Sequence, residues 1–169
     1  MTFRRPEVYI ILLLALSADL AHAQGHRAGE AFVAIRAGAN LVGNTFRVRE
    51  RKPEPGAGGS IGTFLSRLWA LEFETWMRTA NPECCGPRER EMLYSLSVMR
   101  LLTTHGLQPY MLGGVTFLHT DKSELQVQVG VGAQFPLFRR IQMAVDLRGN
   151  GGGSTMIVRP TAAIIYYFR

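Results

Sequence analysis

Between Ser123 and Gly149 apolar and polar residues alternate with a period of two. From Glu124 to Phe135, Leu125, Val127, Val129, Val131, Ala133 and Phe135 share one face. Glu124, Gln126, Gln128, Gly130, Gly132 and Gln134 share the other. After a PLFRR connection the pattern resumes, with Ile141, Met143, Val145 and Leu147 against Gln142, Ala144, Asp146 and Arg148. Side chains of a strand point alternately to its two faces, so this pattern predicts an antiparallel hairpin, apolar on one face and polar on the other. Each run approaches the roughly 9–11 residues with which a tilted strand crosses a bilayer.

The same period recurs along the chain. In Ala31–Leu41, Val33, Ile35, Ala37 and Leu41 oppose Arg36, Gly38 and Asn40. Ser60–Leu65 is a weaker strand. Trp69–Arg78 sets Trp69, Leu71, Phe73, Thr75 and Met77 against Ala70, Glu72, Glu74 and Arg78, with Trp76 the one misfit on the polar side. Glu91–Leu102 opposes Tyr94, Leu96 and Val98 to Ser95 and Ser97. Gln108–Leu118 is apolar on both sides, which leaves its faces unassigned. Thr155–Phe168 closes the set, with Arg159, Thr161 and Ala163 on its polar face. Val42–Gly59, rich in Pro, Gly and Arg, reads as a loop, as does the NGGGS stretch at 150–154. Long and short connections alternate (42–59, 66–68, 79–90, 103–107), although the third on the long side, 120–122, is short. The predicted fold class is all-β: an eight-stranded antiparallel up-and-down transmembrane β-barrel with both termini at one end.

Alternation alone does not say which face points outward. A secreted lipocalin-like barrel also has eight strands, but turns its apolar face inward around a ligand. Three observations favour the polar face inside. Gly38, Gly62, Gly130 and Gly132 lie on it, where a crowded lumen needs small residues. Trp69, Tyr94, Tyr110, Phe135, Tyr166 and Phe168 fall toward strand ends, as in an interfacial girdle. Charges of both signs sit mid-strand on the polar face. Val127, Val129, Met143 and Val145 are therefore expected to face lipid. Arg36, Glu72, Glu74, Gln126, Gln128, Asp146, Arg148 and Arg159 are expected to form a polar network in the lumen.

The first 23 residues have the features of a secretory signal: Arg4 and Arg5, an apolar run from Val8 to Leu16, and an Ala21-His22-Ala23 cleavage site. The expected division is a signal peptide at 1–23 and a barrel domain at 24–169. The formal net charge of +6 is unchanged by removing Arg4, Arg5, Glu7 and Asp19. No basic helix or aromatic–basic interleaving accompanies it, so nucleic acid is not an expected partner. Adjacent Cys84 and Cys85 lack the companion ligands of a zinc site, and whether they are free, bonded to each other or joined to another chain stays open.

GGSIG (58–62), WALEFE (69–74), QPYMLGGV (108–115) and VGVGAQFPLFRRIQMAVDLR (129–148) resemble segments of the small outer-membrane β-barrel domains of Gram-negative bacteria, the group of OmpA-type transmembrane domains and OmpW-like proteins. The terminal IIYYFR is similar to the group's C-terminal assembly signal, with Arg169 following the last aromatic. The resemblance implies an outer-membrane location, contact with outer-membrane lipid, and engagement of the barrel-assembly machinery during biogenesis. Some barrels of this size modify lipid A, but no HExxH, GxSxG or P-loop occurs here. The histidines beyond the signal are His26 in a polar leader, His105 in a turn and His119 at a strand end, where it could meet Ser123. The expectation is a structural or interaction barrel, neither enzyme nor general porin, without cofactor or metal. A secreted carrier of an apolar ligand and a lipid-modifying enzyme are the alternatives.

Overall fold

A computed structural model describes residues 26–44, 53–80, 89–119, 123–152 and 155–168. The signal sequence and the two cysteines lie outside these residues. The strands are β1 (Ala31–Asn44), β2 (Glu54–Phe64), β3 (Trp69–Ala80), β4 (Glu89–Leu101), β5 (Gln108–His119), β6 (Glu124–Phe138), β7 (Ile141–Gly152) and β8 (Thr155–Phe168). Each pairs antiparallel with the next, and β8 pairs with β1, closing the barrel. Paired residues followed around the wall from Ala31 pass through Thr63, Leu71, Val98, Gly113, Val129, Gly149 and Val158. They return to β1 at Leu41, a stagger of ten residues. Stagger of this kind requires the strands to tilt, typically by about 35–45° in barrels.

Ala31, Phe168 and the turns at 65–68, 102–107 and 139–140 share one end, here called the terminal end; the other connections emerge at the loop end. Apolar side chains point outward: Ile35 is 77% exposed, Val129 60%, and Phe73, Leu96, Val115, Val127, Val145 and Leu147 share that surface. Met143 lies on the same outer side, half-buried. Inward positions carry Arg36, Glu72, Glu74, Ser95, Ser97, Thr116, Gln126, Gln128, Asp146, Arg148 and Arg159, all buried. This is the reverse of a lipocalin, whose interior is apolar.

Several sequence expectations change. β2 begins at Glu54, inside the stretch read as a loop, because its glycines match a close neighbour. A Cβ on Gly58 would lie 2.2 Å from the Thr75 carbonyl oxygen, and one on Gly56 2.6 Å from the Trp76 ring. Pro55 sits on the outer face, paired with Ala39. β7 likewise continues through Asn150 to Gly152, so most of the glycine-rich stretch is strand. β6 runs to Phe138 through an irregularity at Pro136–Phe138, leaving Arg139-Arg140 as the turn. The faces of β5 are now assigned: Gln108, Tyr110, Leu112, Thr116 and Leu118 point inward, and Met111, Val115, Phe117 and His119 outward. Tyr110 is thus a lumen residue rather than part of an outer girdle.

Candidate functional site

Among the described residues the lumen gathers the buried charged side chains, and alternation puts them there. Glu72 and Glu74 are two apart on β3, as are Asp146 and Arg148 on β7, so both members of each pair face inward. Arg36 of β1 donates from Nη1 to Asp146 Oδ2 at 2.8 Å and from Nη2 to Glu72. Arg148 donates from Nη2 to Glu72 Oε2 and Asp146 Oδ2, both at 3.1 Å, and from Nη1 to Glu74 Oε2 at 3.2 Å. Arg159 of β8 donates from Nη2 to Glu74 Oε2 at 2.8 Å. Three guanidiniums and three carboxylates thereby join opposite walls of the barrel. Tyr110 donates to Asp146 Oδ2 at 2.6 Å, and Thr161 donates to the other Asp146 oxygen.

Of the eight residues assigned to the lumen by sequence, six meet in this cluster. Gln126 and Gln128 do not. Gln128 accepts from the Ser97 hydroxyl, while the Gln126 amide is buried without a protein hydrogen-bond partner. Burying charge is costly unless it is paired, and removing one partner from a buried pair leaves the other uncompensated. The three charges of each sign match across the cluster, while Arg36 Nε, Glu74 Oε1 and the Nε and Nη1 of Arg159 are buried without a hydrogen-bond partner.

An apolar layer lies on each side of it. Toward the loop end Trp76 packs with Leu93, Leu118 and Ile157. Its Nε1 donates to Asn40 Oδ1 at 3.0 Å, and Arg159 lies 4.8 Å from the ring centroid. The misfit tryptophan of the polar face thus fills the lumen. Beyond it Arg78 meets Glu91 and lies 3.6 Å from Glu54. Toward the terminal end His26 stacks on Phe64 at 4.0 Å, beside Tyr167 at 4.7 Å. Its Nδ1 is 3.0 Å from Glu30 and its Nε2 3.2 Å from Gln108 Oε1. The polar leader therefore enters the barrel mouth. A leader of five residues has no periodicity to report this.

The histidines stand apart: His26 in this plug, His105 in the β4–β5 turn, and His119 on the outer surface at the loop end, 6.5 Å from Phe117. Glu72 and Glu74, spaced like an acid–base couple, are both committed to arginines. Among the described residues no cluster of His, Cys, Asp and Glu is arranged to hold a metal ion. The arrangement links strands across the lumen through hydrogen bonds and ion pairs.

No protein-family model matches the chain, and no curated protein matches it in sequence. Solved structures do match. Neisserial surface protein A superposes with a TM-score of 0.68 at 11% identity, over 83% of this chain and 99% of that one. Ail, the attachment invasion locus protein of Yersinia pestis, gives 0.62 at 13%, over 83% and 99%. The outer membrane protein OprG of Pseudomonas aeruginosa gives 0.57 at 12%, over 86% and 99%. The chain has the fold of the small eight-stranded outer-membrane β-barrels.

Proposed function

We propose that this chain is an integral outer-membrane barrel with a structural or interaction role, its lumen filled by its own side chains and closed to general diffusion. The observation that carries this reading is the inversion of the barrel: apolar side chains cover its outside, while Arg36, Glu72, Glu74, Asp146, Arg148 and Arg159 are cross-linked inside. An apolar surface of that extent is unfavourable in water and is satisfied by lipid tails. Eight strands enclose an interior just wide enough for side chains, whereas water-filled porins use 16–18. The likeness to outer-membrane barrels supports the same location. Its partners on this reading are outer-membrane lipid along the apolar band and the assembly machinery during insertion. The connections at the loop end, 45–53 and 81–88, are the parts left to engage something else. The reading assigns no catalytic residue and no cofactor, because the acids and bases of the lumen are engaged with one another.

Fractionation of expressing cells, followed by gel electrophoresis with and without boiling, tests this. The protein is expected in the outer-membrane fraction, and the unboiled band should migrate differently from the boiled one, as a folded barrel does. Recovery in the soluble fraction would overturn the proposal.

A further inference from the structure

The two ends of the barrel differ in charge. Among the described residues, every exposed charged side chain at the terminal end is an arginine: Arg27 in the leader, Arg67 in the β2–β3 turn, Arg100 near the end of β4, and Arg139 and Arg140 in the β6–β7 turn. The single acid at that end, Glu30, is buried beside His26. At the loop end the described charges are of both signs: Arg90 is exposed, Glu91 and Glu124 are half-buried, and Arg78 and Glu54 are buried. The terminal arginines are also set among exposed apolar and aromatic groups. Arg100 points outward directly across from Trp69, its guanidinium carbon 5.3 Å from the indole centroid. Arg140 donates from Nη1 to the Tyr166 hydroxyl at 3.5 Å. Leu65, Leu102, Leu107 and Phe138 are exposed in or beside the same turns.

We infer that this collar is a binding surface for the headgroups of anionic phospholipids in the leaflet that the terminal end contacts. The inference rests on the membrane reading proposed above and adds a lipid class to it. Tryptophan and tyrosine sit where the hydrocarbon region meets the headgroups. A guanidinium held against such a ring is therefore at headgroup depth, and its planar fork matches a phosphodiester. Among the described residues, five cations with no exposed anion between them give a one-sign ring, which zwitterionic lipid does not neutralise and anionic lipid does. The exposed leucines and Phe138 keep the turns at the interface, within reach of that layer.

The two tryptophans of the chain make a direct test. Trp69 is on the collar, whereas Trp76 is enclosed in the lumen and shielded from lipid. Full-length protein is refolded into mixed vesicles containing equal fractions of phosphatidylglycerol and phosphatidylcholine, with one or the other carrying bromine as a quencher. Trp69 should be quenched more by brominated phosphatidylglycerol, reflecting a local enrichment of about two- to fivefold, the upper value corresponding to the ~1 kcal/mol of a single arginine at an anionic surface. The preference should fall in the Arg67→Gln/Arg100→Gln variant and with added salt, but persist in Arg90→Gln, whose arginine lies outside at the loop end. Gel mobility without boiling verifies folding of each variant. Equal quenching by the two lipids in folded protein overturns the collar while leaving the membrane barrel standing. Absence of insertion into any vesicle overturns the barrel reading and the collar with it. Arginine-dependent sedimentation with peptidoglycan sacculi, without a lipid preference, would assign the collar to a glycan instead and overturn the lipid inference.

Discussion

Arg148 is the residue on which the lumen depends most. It reaches Glu72, Glu74 and Asp146, while Arg159 reaches only Glu74 among the carboxylates. Removing one member of a buried ionic group costs about 3–5 kcal/mol, because the partners stay buried without compensation. Arg148→Met should therefore approach that range, and Arg159→Met should cost less, in urea unfolding from vesicles followed by gel mobility. Equal costs would mean that the three-way contact of Arg148 is not maintained. On the outside the sign of burial reverses. Val129 is 60% exposed to what is proposed to be lipid. An arginine there should cost about 2–4 kcal/mol if the position lies near the bilayer midplane. Val129→Leu should change the same unfolding curve little. A harmless Val129→Arg would contradict the outward orientation toward lipid.

At the scale of the strand, glycine placement decides how closely neighbours approach. Gly114 faces inward on β5, where a Cβ would lie 2.1 Å from the Leu96 carbonyl oxygen; Gly113, one residue earlier, faces outward with its nearest atom at 4.0 Å. Gly114→Ala should destabilise by about 1–3 kcal/mol, as overpacking does. Gly113→Ala should be neutral or stabilising by about 0.4–1 kcal/mol through the unfolded chain. Comparing the two variants in one unfolding assay tests the register of β4 against β5. The same strands show what is legible in the sequence. β3, β6 and β7 alternate clearly because their inner positions are mostly charged or amide side chains and glycine while their outer positions are apolar, and their inner faces could be read directly. β5 could not, since its inner Leu112 and Leu118 are as apolar as its outer Met111 and Val115. The start of β2 was hidden for another reason. Glycine and proline ordinarily mark loops, and only the Trp76 ring and the Thr75 carbonyl opposite explain the inward glycines of this strand. The pairing of acids with arginines was beyond a linear reading too, because it depends on the ten-residue stagger that brings β3 opposite β7 and β8.

For the whole molecule, the contents of the lumen form a sequence from end to end: the His26 plug, the cluster of three arginines and three carboxylates, and the Trp76 layer beneath Arg78 and Glu91. Each layer spans between walls, so on the proposed reading each one both ties strands together and obstructs passage. A continuous water path would have to displace aromatic rings at two levels and separate the ion pairs between them. On the proposed reading this obstruction is complete for ordinary solutes. Planar-bilayer recording on refolded protein measures it most directly. A filled lumen should give no steady conductance in the wild-type chain, with small, brief openings becoming more frequent when Arg148 is replaced. A steady conductance of porin size in the wild-type protein would contradict it.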